Sequence, residues 1–195
     1  MNIDKLDLDF YLYMNDNIDT DKIKTKESAY QDYLKNKENR ILEIDYKLLE
    51  NFDPFIYLLC NKDLNKLNIQ NNNFAKYHYI KFGKKENRIS SINEIKLILK
   101  DFNWIEYLYL NKHLLNKISG EKDCIIHYLL HGIKKSLPYK SDKIVCKDFN
   151  WIVYVNYYYD LNFMNNKEKA FQHYIQVGID ENRYEWINLK NILFD

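Results

Sequence analysis

Hydrophobic and polar positions recur along this chain with a period of about 47 residues. In the clearest stretch, residues 149–183, an aromatic residue and an asparagine precede apolar residues spaced three and four apart, and a polar loop and a second apolar segment follow. Tyr11, Tyr57, Tyr107 and Tyr154 take the same place in four such stretches and are separated by 46, 50 and 47 residues. A fixed period of this size is typical of a repeat array.

The start of each copy predicts the beginning of a helix. An apolar residue followed by Asp or Asn opens every copy, and these side chains cap helices because their oxygen accepts backbone N–H groups of the first turn. Pro54 follows one such cap, at the helical position that tolerates proline best. The repeated tyrosine falls at the fourth helical position, so we expect it to pack on the apolar residue before the cap. The four opening pairs are Leu6-Asp7, Phe52-Asp53, Phe102-Asn103 and Phe149-Asn150.

Two glutamates indicate capping boxes, in which the side chain three residues after the cap reaches back to the backbone N–H of the capping residue. Glu106 stands in this relation to Asn103, and Glu168 stands in it to Asn165. The second pair predicts that the second helix of the last copy is capped by Asn165.

Both helices of a copy have an apolar stripe at helical spacing, which predicts one buried face on each. The first helix should end near Leu64, Leu114 and Leu161. In the last copy the first stripe comprises Trp151, Ile152, Tyr154, Val155 and Tyr158. The second stripe comprises Ala170, Phe171, Tyr174, Ile175 and Val177.

Three of the four glycines of the chain occupy one position of the repeat, five residues after a histidine: Gly83, Gly132 and Gly178. Helices commonly end with a glycine in the left-handed conformation, because a residue without a Cβ adopts it without steric cost. We therefore interpret these glycines as the C′ residues of the second helices.

These elements predict an all-α protein built as a solenoid-like array of four helix–loop–helix repeats. A unit of two helices buries too little apolar surface alone and must stack on its neighbour. The link at 89–100 predicts a short third helix, and residues 193–195 repeat the opening motif, so a fifth copy would begin there. We expect one elongated domain over 1–195, with a divergent cap at 1–44 (copy one) and repeats at 45–95 (copy two), 96–141 (copy three) and 142–195 (copy four).

Charge narrows the choice of partner. The chain has 29 Lys and Arg against 28 Asp and Glu, so its net charge of +1 creates no long-range field for nucleic acid or anionic lipid. Local basic groups exist around Lys81, Lys84, Lys85 and Arg88 and around Lys134, Lys135 and Lys140, but copy four has Gln176, Asp180 and Glu181 in the corresponding places. The sequence therefore disfavours nucleic acid as a partner.

Targeting and redox signals favour the cytoplasm. The first residues are acidic where a signal peptide would be basic and then apolar, and no run reaches the roughly 18 apolar residues of a membrane span. Cys60, Cys124 and Cys146 fall at different places in their copies, unlike a repeated disulfide or metal clip. We expect reduced thiols and no membrane association.

The copies share the motif F-[DN]-x-x-x-Y-L-x-x-N-x-D-L followed by H-Y-x-x-x-G-x-x-E-N-R, which copy two matches best. This motif resembles the helical repeats that accompany glycosyltransferases in giant amoeba-infecting viruses and some bacteria. The resemblance extends from Leu6 to Arg183, although copy three has Lys135-Ser136-Leu137 in place of Glu-Asn-Arg. It implies an accessory module near glycan synthesis, in the host cytoplasm or a viral factory; the nucleotide-binding domain of a glycosyltransferase has no signature here.

The candidate residues form a structural signature rather than a reactive site. Copies two and four pair Asp63 with Arg88 and Asp160 with Arg183, and copy three lacks both partners, which predicts an ion pair between the end of the first helix and the link after the second. The signature residues are Phe52, Asp53, Tyr57, Asp63, His78, Tyr79, Gly83, Arg88, Phe102, Asn103, Tyr107, His127, Tyr128, Gly132, Phe149, Asn150, Tyr154, Asp160, His173, Tyr174, Gly178 and Arg183.

Two ligand hypotheses accompany this signature. The repeated His78, His127 and His173 are interpreted as structural, with a ring nitrogen bonded to a carbonyl or carboxylate, because equivalent atoms of successive units lie too far apart to share a metal. Trp104 and Trp151 are candidates for stacking on a sugar ring. We expect no catalytic residue, cofactor or metal, because phosphate-loop, serine-elbow, HExxH and paired CxxC motifs are missing from the sequence.

Three functions follow from these patterns. The first is a non-catalytic repeat module that binds another protein, one concerned with glycosylation. The second is a repeat segment or relic of a glycosyltransferase whose catalytic domain lies elsewhere. The third is direct glycan binding.

Overall fold

A computed structural model describes residues 3–67, 71–118, 120–143 and 145–183. All regular secondary structure in these ranges is helical, without strands, so the all-α prediction is confirmed. The repeated opening motif at residues 193–195 lies outside the described residues.

The helices are short and alternate with tighter 3₁₀ turns. The first five are α1 (Leu8–Met14), α2 (Lys26–Lys35), α3 (Pro54–Cys60), α4 (Asn72–His78) and α5 (Ile92–Ile98). The next four are α6 (Trp104–Leu110), α7 (Gly120–His127), α8 (Trp151–Tyr157) and α9 (Lys167–His173). Helix α5 is the predicted third helix of the link. The 3₁₀ turns are Ile3–Lys5, Lys37–Asn39, Tyr46–Leu49, Lys62–Leu67, Lys112–Leu114 and Tyr159–Leu161.

The first helix of every copy begins at the predicted cap. The side-chain oxygens of Asp7, Asp53, Asn103 and Asn150 each accept a backbone N–H of the first helical turn, at 3.0–3.4 Å. Pro54 is the first residue of α3. This agreement arises because capping depends on residues adjacent in sequence.

Neither predicted capping box forms. The carboxylate of Glu106 accepts the backbone N–H and hydroxyl of Ser141, at 2.5 and 2.9 Å, and so does not return to Asn103. Helix α9 begins one residue later than predicted, because Asn166 rather than Asn165 caps it by accepting N–H groups of the first turn. The first capping box does not form because Glu106 is hydrogen-bonded to a residue that is distant in sequence.

The predicted aromatic staples are present. The ring centroids of Phe52 and Tyr57 lie 5.3 Å apart, and the equivalent pairs in copies three and four lie 5.2 Å apart. The predicted stripe of copy four is only partly buried, since Tyr154 and Val155 are buried but Ile152 is 53% exposed.

The second helices of copies two, three and four widen at their ends into a π turn. These turns are Tyr79–Gly83, Tyr128–Gly132 and Tyr174–Gly178, each closed by a hydrogen bond from the residue after the glycine to the carbonyl of the tyrosine, at 2.9–3.0 Å. The helical backbone thus continues through the glycine.

The prediction that Gly83, Gly132 and Gly178 are left-handed C′ residues is wrong. The left-handed residues lie four positions later and are Asn87, Ser136 and Asn182, with φ of 51°, 51° and 54°. Backbone bonds from Arg88 to the Gly83 carbonyl and from Asn87 to the Lys84 carbonyl, at 3.0 and 3.3 Å, complete a Schellman motif. The asparagine of Glu-Asn-Arg is the C′ residue.

The chain divides into two compact units, Met1–Ile98 and Leu99–Asp195. Each unit contains two copies of the repeat, and in each copy the first helix packs against the second. Each unit has its own apolar core, centred on Phe10, Tyr11 and Tyr57 in the first and on Tyr107 and Tyr154 in the second. The arrangement of all four copies as one solenoid stays a prediction.

Candidate interaction surface

Each hairpin is joined internally by a buried tyrosine. Tyr57, Tyr107 and Tyr154 are fully buried, and their hydroxyls lie 2.8, 2.8 and 3.0 Å from the Nδ1 atoms of His78, His127 and His173. In copy one an aspartate takes the place of the histidine, and the Tyr11 hydroxyl donates to the Asp32 carboxylate at 2.7 Å. The same link between the two helices therefore occurs in all four copies.

The histidines face tyrosine hydroxyls, whereas a carbonyl or carboxylate partner was predicted. Burial lowers the pKa of His78, His127 and His173 below the usual 6.5, which favours the neutral ring. Burial also raises the pKa of Tyr107 to about 12, so its phenol keeps the proton. Among the described residues, His, Cys, Asp and Glu form no group of three that could hold a metal.

Two further contacts tie the end of the first helix to the link after the second helix. Asn61 Nδ2 donates to the carbonyls of Tyr57 and Ile89 at 2.7 and 2.9 Å. The predicted ion pairs are also formed, with Arg88 Nη1 at 2.7 Å from Asp63 Oδ2 and an equivalent Arg183–Asp160 contact at 2.8 Å. The repeat signature thus closes each hairpin on itself.

Stacking of successive copies is visible inside the first unit. The outer face of α1 is covered by α4 of copy two, where the Phe10 and Tyr77 rings meet edge to face at 5.4 Å. Met14 belongs to the same buried cluster, and the Tyr77 hydroxyl donates to Asp7 at 2.5 Å. Lys81 adds a 2.7 Å hydrogen bond to the Tyr13 carbonyl.

The second unit repeats this arrangement with different side chains. The α9 segment of copy four covers α6 of copy three, where the Trp104 ring stacks on Phe171 at 5.4 Å and 28°. Polar contacts complete the interface: Gln172 donates to Asn116 at 3.1 Å, and Lys112 donates to the Gln176 carbonyl at 3.3 Å. The outer face of a first helix is therefore a docking surface for a second helix.

In copy four, no helix among the described residues covers the corresponding face of α8, which exposes mainly apolar side chains. Val153 and Tyr157 correspond to Phe10 and Met14, but each is 39% exposed. Tyr159 and Phe163 correspond to Lys112 and Asn116. The α8 face comprises Ile152, Val153, Tyr159 and Phe163, and its last two members are 89% and 77% exposed.

The α8 face carries no charge on its four side chains. Asp160 lies in the middle of this segment but pairs with Arg183. Charged and polar residues stand at the positions of Tyr159 and Phe163 in copy three, so a comparison of the copies would have identified this surface from the sequence. The prediction instead placed Ile152 on a buried stripe.

The tryptophans considered for sugar binding and the lysines considered for nucleic-acid binding take part in local packing and ion pairs. Trp104 stacks on Phe171, and Trp151 is half-buried against the core of the second unit. In the basic groups, Lys81 pairs with Asp16 at 2.8 Å and Lys140 with Asp101 at 3.2 Å. The structure therefore brings neither the tryptophans nor the lysines together into a distinct site.

Comparison with family models, with curated proteins and with solved structures found no match to this chain. In the part of the chain that the structure describes, the helices are too short and too polar to cross a bilayer.

Proposed function

We propose that this protein is a helical repeat module that binds an amphipathic helix of another protein on the α8 face. The observation that carries the proposal is the internal precedent: in copies one and three, the same face of the first helix is covered by a second helix. On copy four that face exposes apolar side chains, and apolar patches of this kind mark interaction sites.

The occupant can be described from the helices that cover copies one and three. In the first unit, Phe74 and Tyr77 of α4 and Lys81 of the π turn that follows face α1, at spacings of three and four. This is the anchor pattern of a helix bound in a groove. Because the α8 face is uncharged and holds an exposed tyrosine and phenylalanine, we expect a helix with apolar or aromatic anchors and few charges on its bound side.

A second copy of this chain fits the surface poorly. Head-to-tail stacking would place α2 of copy one on the α8 face. In α2 the positions of Phe74 and Tyr77 are held by Ser28 and Gln31, which offer no apolar anchors. A different protein is therefore the proposed occupant, and the resemblance of the repeat motif to glycosyltransferase-associated repeats supports one engaged in glycan synthesis.

The test compares proteins captured from the native host by the wild-type chain with those captured by Tyr159→Lys and Phe163→Lys. Both residues are exposed, so the variants should keep the wild-type melting temperature while losing the specific partner. Tyr46→Lys is the matched control, because Tyr46 is 73% exposed and lies in the other unit. The captured partner, once purified, should crosslink through a helix to α8.

Two outcomes would overturn the proposal. One is capture of the same proteins by wild type and both α8 variants. The other is a purified partner that fails to crosslink to α8. Capture of a glycosyltransferase catalytic protein would favour the second hypothesis, that this chain is a separate segment of a glycosyltransferase. Capture of a protein of another kind would remove the link to glycosylation but would leave the docking site supported.

A further inference from the structure

The second candidate site lies in the first unit, above a pair of aromatic rings. In copy two, Phe52 and Tyr79 are stacked with centroids 4.7 Å apart and planes at 26°. The equivalent rings of copy three are Phe102 and Tyr128, 5.2 Å apart. This ring pair is present in both copies, but its covering differs.

In copies one and three, a side chain from the segment after the second helix covers the equivalent ring positions. Tyr139 packs on Phe102 at 6.1 Å and 26° and on Tyr128 at 5.2 Å. In copy one, Leu42 is 8% exposed and belongs to the same cluster as Leu6 and Tyr33. In copies one and three, one residue after the second helix therefore closes the core at this end.

Hydrogen bonds identify the residue of copy two that is equivalent to Leu42 and Tyr139, independently of the sequence comparison. The side chains of Asn15, Asn61 and Asn111 donate to the carbonyls of Ile41, Ile89 and Pro138, at 2.8, 2.9 and 2.8 Å. The covering residue follows this carbonyl directly in every case. It is Leu42 in copy one, Tyr139 in copy three and Ser90 in copy two.

Because the Ser90 side chain is small, copy two has a pocket where Leu42 and Tyr139 fill the equivalent space in copies one and three. The pocket has a volume of about 330 Å³ and is lined by Phe52, Tyr79, Ser90, Glu94 and Leu97, among others. This volume is at the lower end of the range for small-molecule sites. The Ser90 hydroxyl is turned to Glu94 Oε2, at 3.2 Å.

The polar wall of the pocket is formed by Glu94, which is held by several hydrogen bonds. Glu94 Oε2 accepts the backbone N–H groups of Ser90 and Ser91 at 2.6 and 2.9 Å, together with both hydroxyls. The other carboxylate oxygen, Oε1, has no hydrogen-bond donor among the described residues. Leu97, 79% exposed, adds an apolar rim.

We propose that this pocket binds an aromatic ring that carries an O–H or N–H donor, of the tyrosine or tryptophan class, presented by a bound polypeptide. The ring packs on Phe52 and Tyr79, in the place that Tyr139 takes in copy three, and its donor reaches Glu94 Oε1. Aromatic pairs gain energy beyond the area they bury, and a charged acceptor strengthens the hydrogen bond. This site is independent of the α8 face.

The test uses N-acetyltyrosinamide as the probe and follows the ring resonances of Phe52 and Tyr79 by NMR in the full chain. We expect saturable shifts with a dissociation constant on the order of 1 mM, as ligand-efficiency limits allow for so small a molecule. Ser90→Tyr and Ser90→Leu, which copy the fillings of the siblings, should weaken binding by about tenfold or more. Lys84→Leu, at an exposed position that does not line the pocket, is the control and should bind like wild type.

A gain of binding gives the sharper test. Tyr139→Ser should open the equivalent pocket in copy three and add shifts at Phe102 and Tyr128, with its fold checked by the melting curve. The proposal is overturned if the wild type shows no saturable shift, if Ser90→Tyr and Ser90→Leu fold but still bind, or if N-acetylleucinamide or methyl glucoside binds as well as the aromatic probe. Because residues of the α8 face are unchanged in these variants, capture by that face serves as an independent readout.

Discussion

The hydroxyl of Tyr57 lies against the α-carbon of Gly83, on the side where any other residue would carry its Cβ. The Tyr154 hydroxyl and Gly178 are related in the same way, and a Cβ on Gly132 would stand 2.9 Å from the Tyr107 hydroxyl. These glycines have ordinary helical φ values. Glycine is therefore required by the close approach of the first helix rather than by backbone conformation.

Gly83→Ala is predicted to lower the free energy of unfolding by about 1–3 kcal/mol, the usual range for overpacking a core. Alanine is favoured over glycine within a helix by roughly 0.5–1 kcal/mol, so the steric effect must exceed this gain. It should do so because the Tyr57 ring is fully buried and its hydroxyl is bonded to His78. Urea unfolding of the variant measures the change.

The control is the double variant Gly83→Ala with Tyr57→Phe. Removing the hydroxyl removes the atom nearest the new methyl group, so the two changes should cost less together than the sum of the single costs. Strictly additive costs, or a Gly83→Ala chain as stable as wild type, would show that the contact does not constrain this position.

The Arg88–Asp63 ion pair predicts that Arg88→Leu destabilises the chain more than Lys84→Leu. The Arg88 side chain is only 21% exposed and also contacts Glu86 at 2.5 Å, whereas Lys84 is exposed. The difference should shrink at about 1 M salt, because screening weakens a partly exposed ion pair. Thermal melting at low and high salt checks this, and an Arg88→Leu shift within error of Lys84→Leu would contradict it.

The sequence predicted the features that depend on neighbouring residues. The caps Asp53 and Asn103 and the Phe52–Tyr57 staple are local, because each joins groups at most five residues apart. The Asp63–Arg88 pair is not local, yet it was predictable because copy three has lost both partners together. Repeats thus supply within one chain a comparison that otherwise needs homologues.

The features that depend on the contact between two helices were missed. The role of Gly83 follows from the position of Tyr57, which its own segment does not encode, and Asn87 takes the left-handed conformation instead. The tyrosine hydroxyls that contact the repeated histidines were also not predicted, because this contact joins two different helices. Ile152 was placed on a buried stripe because helical periodicity finds apolar positions but does not show whether a partner covers them.

Asn111→Ala is predicted to lower the free energy of unfolding by about 1–3 kcal/mol, the cost of leaving buried acceptors without a donor. Its Nδ2 donates to the Tyr107 and Pro138 carbonyls, both at 2.8 Å, and the residue is 3% exposed. Asn116→Ala is the matched control, since Asn116 is exposed. Denaturant unfolding measures both, and equal small effects would show that the bridge contributes nothing.

The aspartate of copy one indicates the direction of the tyrosine hydrogen bonds. An ionised carboxylate only accepts. Burial raises the pKa of Asp32, but the hydrogen bonds from Tyr11 and Arg40 outweigh this effect and set the pKa below its usual value, so the Tyr11 hydroxyl donates. We infer that Tyr57 donates to Nδ1 of His78 in the same way, with the ring proton of neutral His78 on Nε2. Protonation of the ring removes this acceptor.

Stability is therefore predicted to fall as the pH drops below 6.5. The folded-state pKa values of His78, His127 and His173 lie below 6.5, the value of a free histidine, chiefly because of burial. Between the two pKa values the unfolded chain binds more protons, so the stabilisation is complete above pH 6.5 and is lost on acidification through the folded pKa. Urea midpoints at pH 7.5 and 5.5 measure the loss. Replacing the three histidines by glutamine should reduce this pH dependence, whereas Lys84→Gln, at an exposed position, should leave it unchanged. Equal pH dependence in both variants would contradict the assignment.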